Sequence, residues 1–254
     1  MVLGTFVDAV DWRGALDQIS GWAAQGRNRC VCCCNAHSIV TAARYPKLRE
    51  ALAAADMTTA DGAPVAWMMR RLGFPEQGRI NGPDLMWNCC AAATAQGRTI
   101  YLYGSGVKTL AALQDRLLAA FPGLVIAGSC SPPYRPLTPE EDARIVEAIN
   151  ASGAGLVFVG LGCPKQELWM AEHRDRVGAV MIGVGAAFDY HGGALRRAPV
   201  WARNAGLEWL YRLAAEPRRL WKRYLVTNLI FLLGASKQLA CRALDSTRKG
   251  IAPK

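Results

Sequence analysis

The sequence predicts an α/β fold in which a mainly parallel sheet carries helices on both faces and a helical C-terminal appendage follows. Short apolar or β-branched runs alternate with longer amphipathic stretches, and glycine-rich turns follow three of the runs. Such repetition is typical of a parallel sheet buried on both faces. Near Pro199 the apolar runs stop, and segments rich in Trp, Arg and Leu begin. We therefore predict a core at residues 1–198 and a basic, amphipathic appendage at residues 199–254.

The individual elements follow from periodicity. A short apolar run bounded by turn signals indicates a buried strand, whereas apolar residues at helical spacing over ten or more positions indicate a helix. The predicted strands are residues 31–34, 99–104, 124–128, 155–162 and 179–185. The predicted helices are residues 46–55, 82–95, 106–121, 139–152 and 164–174.

Composition and charge narrow the class of protein. The 254 residues are 52% hydrophobic and 20% charged, which argues for a buried core and against wholesale disorder. The formal net charge is +10, and the excess cations lie in the last quarter of the chain. A basic tail suits phosphorylated substrates, anionic lipids or nucleic acid. Nucleic acid is not expected as a partner, because the cations are interleaved with a hydrophobic stretch rather than presented beside stacking aromatics.

Two features predict the location of the protein. The first twelve residues contain two aspartates and no basic region before an apolar run, so no secretory signal is expected and the chain should stay in the cytoplasm. The most lipophilic stretch, residues 224–233, is shorter than the ~20 residues that a membrane span requires. Because Trp221 and several cations flank it, we predict a helix that lies peripherally on the inner face of the membrane.

Four of the nine cysteines crowd residues 30–34. In a strand, alternate side chains point to opposite faces, so these four cannot all bind one metal ion. No paired Cys-x-x-Cys segments follow. We predict that the cysteines are small buried hydrophobic residues in a reducing compartment and that the protein has no metal site or other cofactor.

Glycine-rich turns follow three predicted strands, at Gly104–Gly106, Gly160–Gly162 and Gly183–Gly185. At the carboxyl edge of a parallel sheet, such turns let backbone amides and helix N-termini approach phosphate groups. A lysine at a helix start could hold a diphosphate, and a carboxylate after a neighbouring strand could accept from ribose hydroxyls. The candidate nucleotide-binding residues are Gly104, Gly106, Gly162, Lys165, Gly185 and Asp189. Tight strand-to-helix turns explain the glycines equally well.

The first of these turns also suggests an alternative function. Gly104 and Gly106 begin a pattern that resembles a dinucleotide-binding fingerprint, but its third glycine is replaced by Thr109. No acidic residue ends a second strand about 20 residues later. An NAD-dependent oxidoreductase with a Rossmann-type core is therefore the second hypothesis.

Asp61 is the candidate general base. It precedes Gly62 after a helix predicted to end at Asp56, and a carboxylate held on a turn at the sheet edge can take a proton from a hydroxyl. An Asp-Gly pair is also a common plain turn. Asn35, Arg79 and Asn81 could bind substrate or only order their loops.

Several segments together resemble the WecG/TagA/CpsF family of glycosyltransferases. Order and spacing match through nearly the whole chain, although two segments depart from the common pattern. The run Cys32–Cys34 replaces a threonine that relatives commonly have shortly before the asparagine, and Ser131–Tyr134 resembles exopolysaccharide-type members. The matching segments are Asn35–His37, Ala54–Asp56, Ala60–Gly62, Arg79–Leu85, Tyr103–Gly106, Phe121–Leu124, Gly160–Glu167, Gly183–Asp189, Arg197–Pro199, Leu207–Leu213 and Glu216–Arg219.

The resemblance implies a Rossmann-like core with a helical C-terminal appendage. It also implies transfer of a sugar, with inversion and without an essential metal, from a UDP-sugar to an undecaprenyl-diphosphate-linked saccharide at the cytoplasmic membrane. The proposed base of the family falls on Asp61, and its other active-site polar residues fall on Asn35, Arg79 and Gln166. The appendage arginines that reach a diphosphate fall within Arg212, Arg218, Arg219 and Arg223. The sugar, the acceptor and the oligomeric state, including a homo-oligomer, stay open.

Overall fold

The computed structural model contains one six-stranded parallel sheet with helices on both faces, as the sequence predicts. It describes residues 1–248, except for the side chains at positions 204, 219, 223 and 246–248. The candidates Arg219 and Arg223 therefore lie outside the described side chains.

The strands are β1 (Arg29–Cys34), β2 (Met57–Ala60), β3 (Thr99–Gly104), β4 (Val125–Cys130), β5 (Leu156–Gly160) and β6 (Val180–Gly183). The core helices are α1 (Trp12–Ala24), α2 (Ala36–Arg44), α3 (Pro46–Ala54), α4 (Ala63–Arg71), α5 (Gly82–Ala95), α6 (Val107–Ala120), α7 (Pro139–Ala151), α8 (Lys165–Glu172) and α9 (Ala187–His191). The C-terminal helices are α10 (Val200–Asn204), α11 (Glu208–Ala215) and α12 (Pro217–Arg248).

The sheet has the order β2-β1-β6-β5-β3-β4. The chain leaves β3 toward β4 and leaves β5 toward β6, so connections from these two neighbours depart in opposite directions. A crevice opens at such a point outside the carboxyl ends of the strands, where open α/β sheets bind their ligands.

Two hydrophobic clusters cover the two faces of the sheet. Helices α1, α5, α6 and α9 pack on one face, and α2, α3, α4, α7, α8 and α12 pack on the other. The side chains of β1 alternate between the two clusters. Cys30, Cys32 and Cys34 belong to one cluster, whereas Val31 and Cys33 belong to the other. This confirms that the cysteines of β1 are buried and divided between two faces. Burial raises the pKa of their thiols, which makes them poor nucleophiles and metal ligands.

One strand escaped the sequence prediction. β2 has only four residues, two of them threonine, and it follows α3 after two residues. It pairs with β1 in parallel, with Cys34 opposite Ala60. Its short, weakly apolar run gave no strand signal, yet it places Asp61 directly at a strand end.

The last helix is longer than the lipophilic stretch seen in the sequence. α12 extends over 32 residues, and its segment Leu220–Asp245 is long and apolar enough to cross a membrane by length and composition only, which is weak support for a span. One side of α12 packs on the core through the buried Leu220, Thr227, Phe231 and Ala235.

Candidate active site

A cavity of about 1060 Å³ opens at the carboxyl edge of the sheet. Its floor consists of the residues that follow β1, β2, β5 and β6, including Asn35, Asp61, Gly162 and Gly185. The appendage supplies the facing wall. The lining residues from α11 and α12 are Glu208, Trp209, Arg212, Tyr224, Thr227 and Asn228.

Backbone hydrogen bonds hold Asp61 at the floor of the cavity. Its N–H donates to the carbonyl of Cys34 at 2.9 Å, which extends the pairing of β1 with β2 by one residue. Gly62 follows with a φ of +89°, a conformation that glycine adopts without strain, and the chain turns there into α4. The position of the Asp61 backbone is thus set by the sheet.

Asn35 caps a helix beside this carboxylate. Its side-chain oxygen accepts from the N–H of Ser38 at 3.1 Å and so caps α2. Its polar side chain also acts to lower the pKa of Asp61. The cap therefore fixes a polar amide next to the carboxylate.

The electrostatics around Asp61 suit a base. Burial, followed by the charge of Glu208, raises the pKa of Asp61 from 3.8 to about 6, whereas Arg79, Asn35 and Arg212 act to lower it. A general base works best when its pKa lies near the operating pH. Asp61 is therefore ionised at neutral pH and still a competent proton acceptor.

A network of ion pairs connects the core to α11. Arg79 donates to Glu208 at 2.9 Å, and Arg197 lies 4.0 Å from the other oxygen of the same carboxylate. Arg197 also donates to Asp84 at 2.5 Å and to the side-chain oxygen of Asn81 at 3.1 Å. The network joins the loop before α5, the segment before α10 and the start of α11.

Arg212 of α11 lies against Tyr190 of the core helix α9 in the cavity lining. The guanidinium carbon of Arg212 is 5.6 Å from the centre of the Tyr190 ring, a cation–π arrangement. Among the described residues, neither the Tyr190 hydroxyl nor the Arg212 Nε–H has a hydrogen-bond partner, although both are buried. Buried donors without partners are costly, so this part of the wall is suited to an anionic ligand.

The profile of the glycosyl transferase WecG/TagA/CpsF family matches residues 1–244. The chain belongs to this family. The match includes both the sheet and the appendage through most of α12, so the cavity lining of this glycosyl transferase lies entirely within the matched residues.

Most of the site residues that we predicted for the glycosyl transferase line this one cavity. The lining residues among them are Asn35, Asp61, Arg79, Asn81, Gly162, Lys165, Gln166, Gly185, Asp189 and Arg212. Gly104, Gly106 and Arg218 are not part of the lining, although Ser105 between the two glycines is. Arg218 is exposed.

Two of these residues already have partners within the protein. Asn81 caps α5 by accepting from the N–H of Asp84 at 3.0 Å and donates to the Asp84 carboxylate at 2.7 Å. Gln166 accepts from the N–H of Gly162 at 3.1 Å and donates to Glu167 at 2.9 Å. Both side chains therefore hold the turns of the glycosyl transferase site in place.

The glycines at the strand ends allow neighbouring backbone and side chains to pack closely, in addition to forming turns. A β-carbon on Gly104 would lie 2.6 Å from the backbone of Gly160, and one on Gly183 would lie 3.0 Å from the side chain of Gln166. Lys165 is exposed at the start of α8, where its ammonium is free to move toward a ligand. Asp189 accepts from the hydroxyl of Ser105 at 3.5 Å, across the crevice between β3 and α9.

Sequence reasoning assigned no role to Glu208, Tyr190 or Trp169, which all line the cavity. Glu208 lies within the matching segment Leu207–Leu213, which was the one available signal for it. Trp169 stacks between Tyr103 at 4.4 Å and His173 at 4.2 Å. Among the described residues, no group of three or more His, Cys, Asp or Glu side chains is placed to hold a metal ion.

Proposed function

We propose that this family member is an inverting glycosyltransferase of bacterial exopolysaccharide or other cell-surface polysaccharide synthesis. It moves a sugar from a UDP-sugar to an undecaprenyl-diphosphate-linked saccharide. Membership of the family implies a nucleotide-sugar donor and a lipid-linked acceptor in general. The observation that carries the proposal is the buried carboxylate of Asp61 on the cavity floor, with the cations Arg79 and Arg212 near enough to act on its pKa.

The reaction is a single displacement. Asp61 takes the proton of the acceptor hydroxyl while the hydroxyl oxygen forms a bond to the anomeric carbon of the donor sugar. The bond from that carbon to the diphosphate oxygen breaks, and UDP leaves with the electron pair. Attack opposite the leaving group inverts the anomeric configuration.

Cationic side chains stabilise the departing diphosphate. Negative charge develops there in the transition state, so fixed donors at that position lower the barrier more than they stabilise the bound substrate. Arg212, Arg79 and Lys165 are the lining residues with this property. We therefore expect activity in the presence of EDTA.

The donor nucleotide fits the crevice between β3 and β5. The turns at Gly160–Gly162 and Gly183–Gly185 bring backbone close to the cavity, and Gly162 has a φ of +78°, a conformation that favours glycine. Asp189 lies beside this crevice and could accept from ribose hydroxyls.

The assay that tests the proposal measures UDP release from a panel of UDP-sugars, with a short-chain prenyl-diphosphate saccharide as acceptor and EDTA present. We expect acceptor-dependent release that falls by about 10² to 10⁴ in Asp61→Asn. Asp115→Asn, the same change on the exposed surface of α6, is the control and should keep wild-type release. Wild-type turnover in Asp61→Asn would remove the general-base role. Thermal stabilisation by NAD, without UDP release from any donor, would favour the oxidoreductase hypothesis.

The exposed side of α12 supports peripheral attachment to the membrane. Trp221, Leu225, Leu229 and Leu232 are each about half exposed or more, whereas Ile230, which the sequence also suggested for lipid contact, packs on the core. An exposed apolar strip with neighbouring cations suits the headgroup region of an anionic bilayer. Such a position places the cavity beside a lipid-linked acceptor.

Liposome flotation tests this attachment with the full-length chain. Replacement of Leu225, Leu229 and Leu232 by Gln should reduce binding to vesicles that contain anionic lipid. Leu118→Gln, an exposed leucine on α6, is the matched control. Equal flotation of the triple variant and the control would contradict the membrane role.

A further inference from the structure

We propose that Glu208 is a positioning residue for the transfer reaction: its carboxylate holds the Arg79 guanidinium at the cavity wall and places a negative charge beside Asp61. The inference rests on the proposed role of Asp61 as general base. It assigns to the first turn of α11 a function in the chemistry of the core.

The contact itself is well defined. Arg79 Nη1 donates to Glu208 Oε2 at 2.9 Å, and the two side chains are only 20% and 18% exposed. Ion pairs with this degree of burial are screened by solvent less than surface pairs are. Glu208 also lines the cavity, so the pair is part of the site rather than a distant clamp.

Arg79 requires such a partner because only its backbone is fixed by the core. The N–H of the next residue, Ile80, donates to the carbonyl of Ala60 at 3.0 Å, which ties this loop to the strand end that carries Asp61. The long side chain of an arginine loses rotamer entropy when it is held in one orientation. Glu208 supplies the contact that holds it.

The charges around Asp61 explain why a carboxylate is needed at position 208. Four guanidiniums, those of Arg79, Arg197, Arg203 and Arg212, interact with the carboxylates of Asp61, Asp84 and Glu208, and Glu216 also acts on Arg212. Without Glu208 the guanidiniums would stabilise the ionised form of Asp61 more strongly and weaken it as a base. Arg79, released from its ion pair, would also be attracted toward the Asp61 carboxylate, where the acceptor hydroxyl must bind.

The pKa of Asp61 depends on the charged and titratable groups around it. The cations Arg79 and Arg212 lower its pKa, whereas burial and Glu208 raise it. Cys33 and Cys34 of β1 also interact electrostatically with Asp61. The other titratable or charged residues that line the cavity are His37, Tyr103, Tyr134, Arg135, Cys163, Lys165, Glu167, Glu172, Asp189, Tyr190 and Tyr224, and Asp84, Arg197 and Arg203 lie one layer further out.

Glu208→Gln tests the charge alone, because glutamine can still accept a hydrogen bond from Arg79. Asp61 must be ionised to act, so wild-type kcat/KM should fall as the pH drops through about 6. In Glu208→Gln this acid limb should move to lower pH, and the plateau should fall because a less basic carboxylate is a poorer proton acceptor. Arg79→Gln removes a cation, so its acid limb should move to higher pH.

Glu208→Ala tests the positioning. Alanine offers Arg79 no acceptor, so kcat/KM at the plateau should be roughly tenfold below that of Glu208→Gln. Glu147→Gln, the same change as the first variant on the exposed side of α7, should show the wild-type profile. An acid limb in Glu208→Gln that coincides with that of the wild type would overturn the proposal.

A direct titration makes the test independent of turnover. In protein labelled with ¹³C at the aspartate carboxyl carbons, the resonance missing from Asp61→Asn identifies Asp61. Its midpoint should move down in pH in Glu208→Gln and up in Arg79→Gln, and an unchanged midpoint in Glu208→Gln would refute the inference. If the midpoints move as expected but Asp61→Asn turns over like the wild type, the electrostatic coupling stands and the general-base assignment fails instead.

Discussion

The two walls of the cavity are held in place in different ways. On the core side, backbone hydrogen bonds and helix caps position Asp61, Asn35 and Gln166 at strand ends. On the appendage side, Glu208 and Arg212 depend on ion pairs, an aromatic face and the packing of one side of α12. The proposed base, Asp61, is therefore held by the sheet, whereas the nearby cations are held by side-chain contacts that a single substitution can remove.

The largest expected effect is on the free energy of unfolding, and it tests whether α12 packs on the core through its buried side. Phe231 is 1% exposed, and the adjacent Leu232 is 55% exposed on the other side of α12. Phe231→Ala should lower the free energy of unfolding by about 3–5 kcal/mol, whereas Leu232→Ala should change it by less than about 0.5 kcal/mol. Urea denaturation followed by tryptophan fluorescence measures both. Similar losses in the two variants would mean that α12 does not pack by this face.

The second effect is the loss of folding stability that the buried Asp61 carboxylate causes at neutral pH. The folded-state pKa of Asp61, about 6, lies above its ordinary value of 3.8, so the folded protein binds more protons between these values. Stability from this group is therefore present below pH ~4 and is lost as the pH rises to ~6, by about 3 kcal/mol. Asp61→Asn should remove this loss and unfold at a higher denaturant concentration than the wild type at pH 7. A lower midpoint for the variant would show that the carboxylate is stabilising instead.

The smallest expected effect is a loss of turnover on removal of the Arg212 cation from the cavity wall. Arg212→Gln should reduce kcat by about tenfold to a hundredfold, because it removes a donor from the developing charge on the diphosphate. The acid limb should also move to higher pH, since Arg212 lowers the pKa of Asp61. Arg144→Gln, on the exposed side of α7, is the control for loss of one positive charge. An increase in KM alone would assign Arg212 to ground-state binding.

Prediction from sequence succeeded where the signal is local. The apolar runs of β1, β3, β5 and β6 were recognised because these strands are buried on both faces, and the edge strand β4 was recognised from its apolar start although it is partly exposed. The bounds of α5 agree at both ends with the predicted 82–95. β2 escaped because four residues with two threonines carry no distinct pattern, and only pairing with β1 makes them a strand. The last helix was underestimated because its apolar residues divide between the core and the surface.

The site residues also divide into those that local sequence reveals and those that only the folded chain reveals. Asp61, Asn35 and Arg79 could be selected because they follow predicted turns or matching segments, and they do line one cavity. Glu208 could not be selected on physical grounds, because a glutamate at the start of an exposed helix has no local property that reveals a partner 129 positions away. Gln166 and Asn81 were expected to contact substrate, but their hydrogen bonds within the protein are visible only in three dimensions.

The sequence by itself determined the α/β class, the family and the polar residues available at the carboxyl edge, because these depend on patterns within a few neighbouring residues. Only the tertiary structure decided which of those residues face each other, that the crevice lies between β3 and β5, and that α11 brings Glu208 and Arg212 to Asp61. The physical reason is that burial and electrostatic interaction act between atoms close in space. Besides burial, the pKa of Asp61 is set by four residues from three separate segments, and the chain has to fold before any of them can raise or lower it.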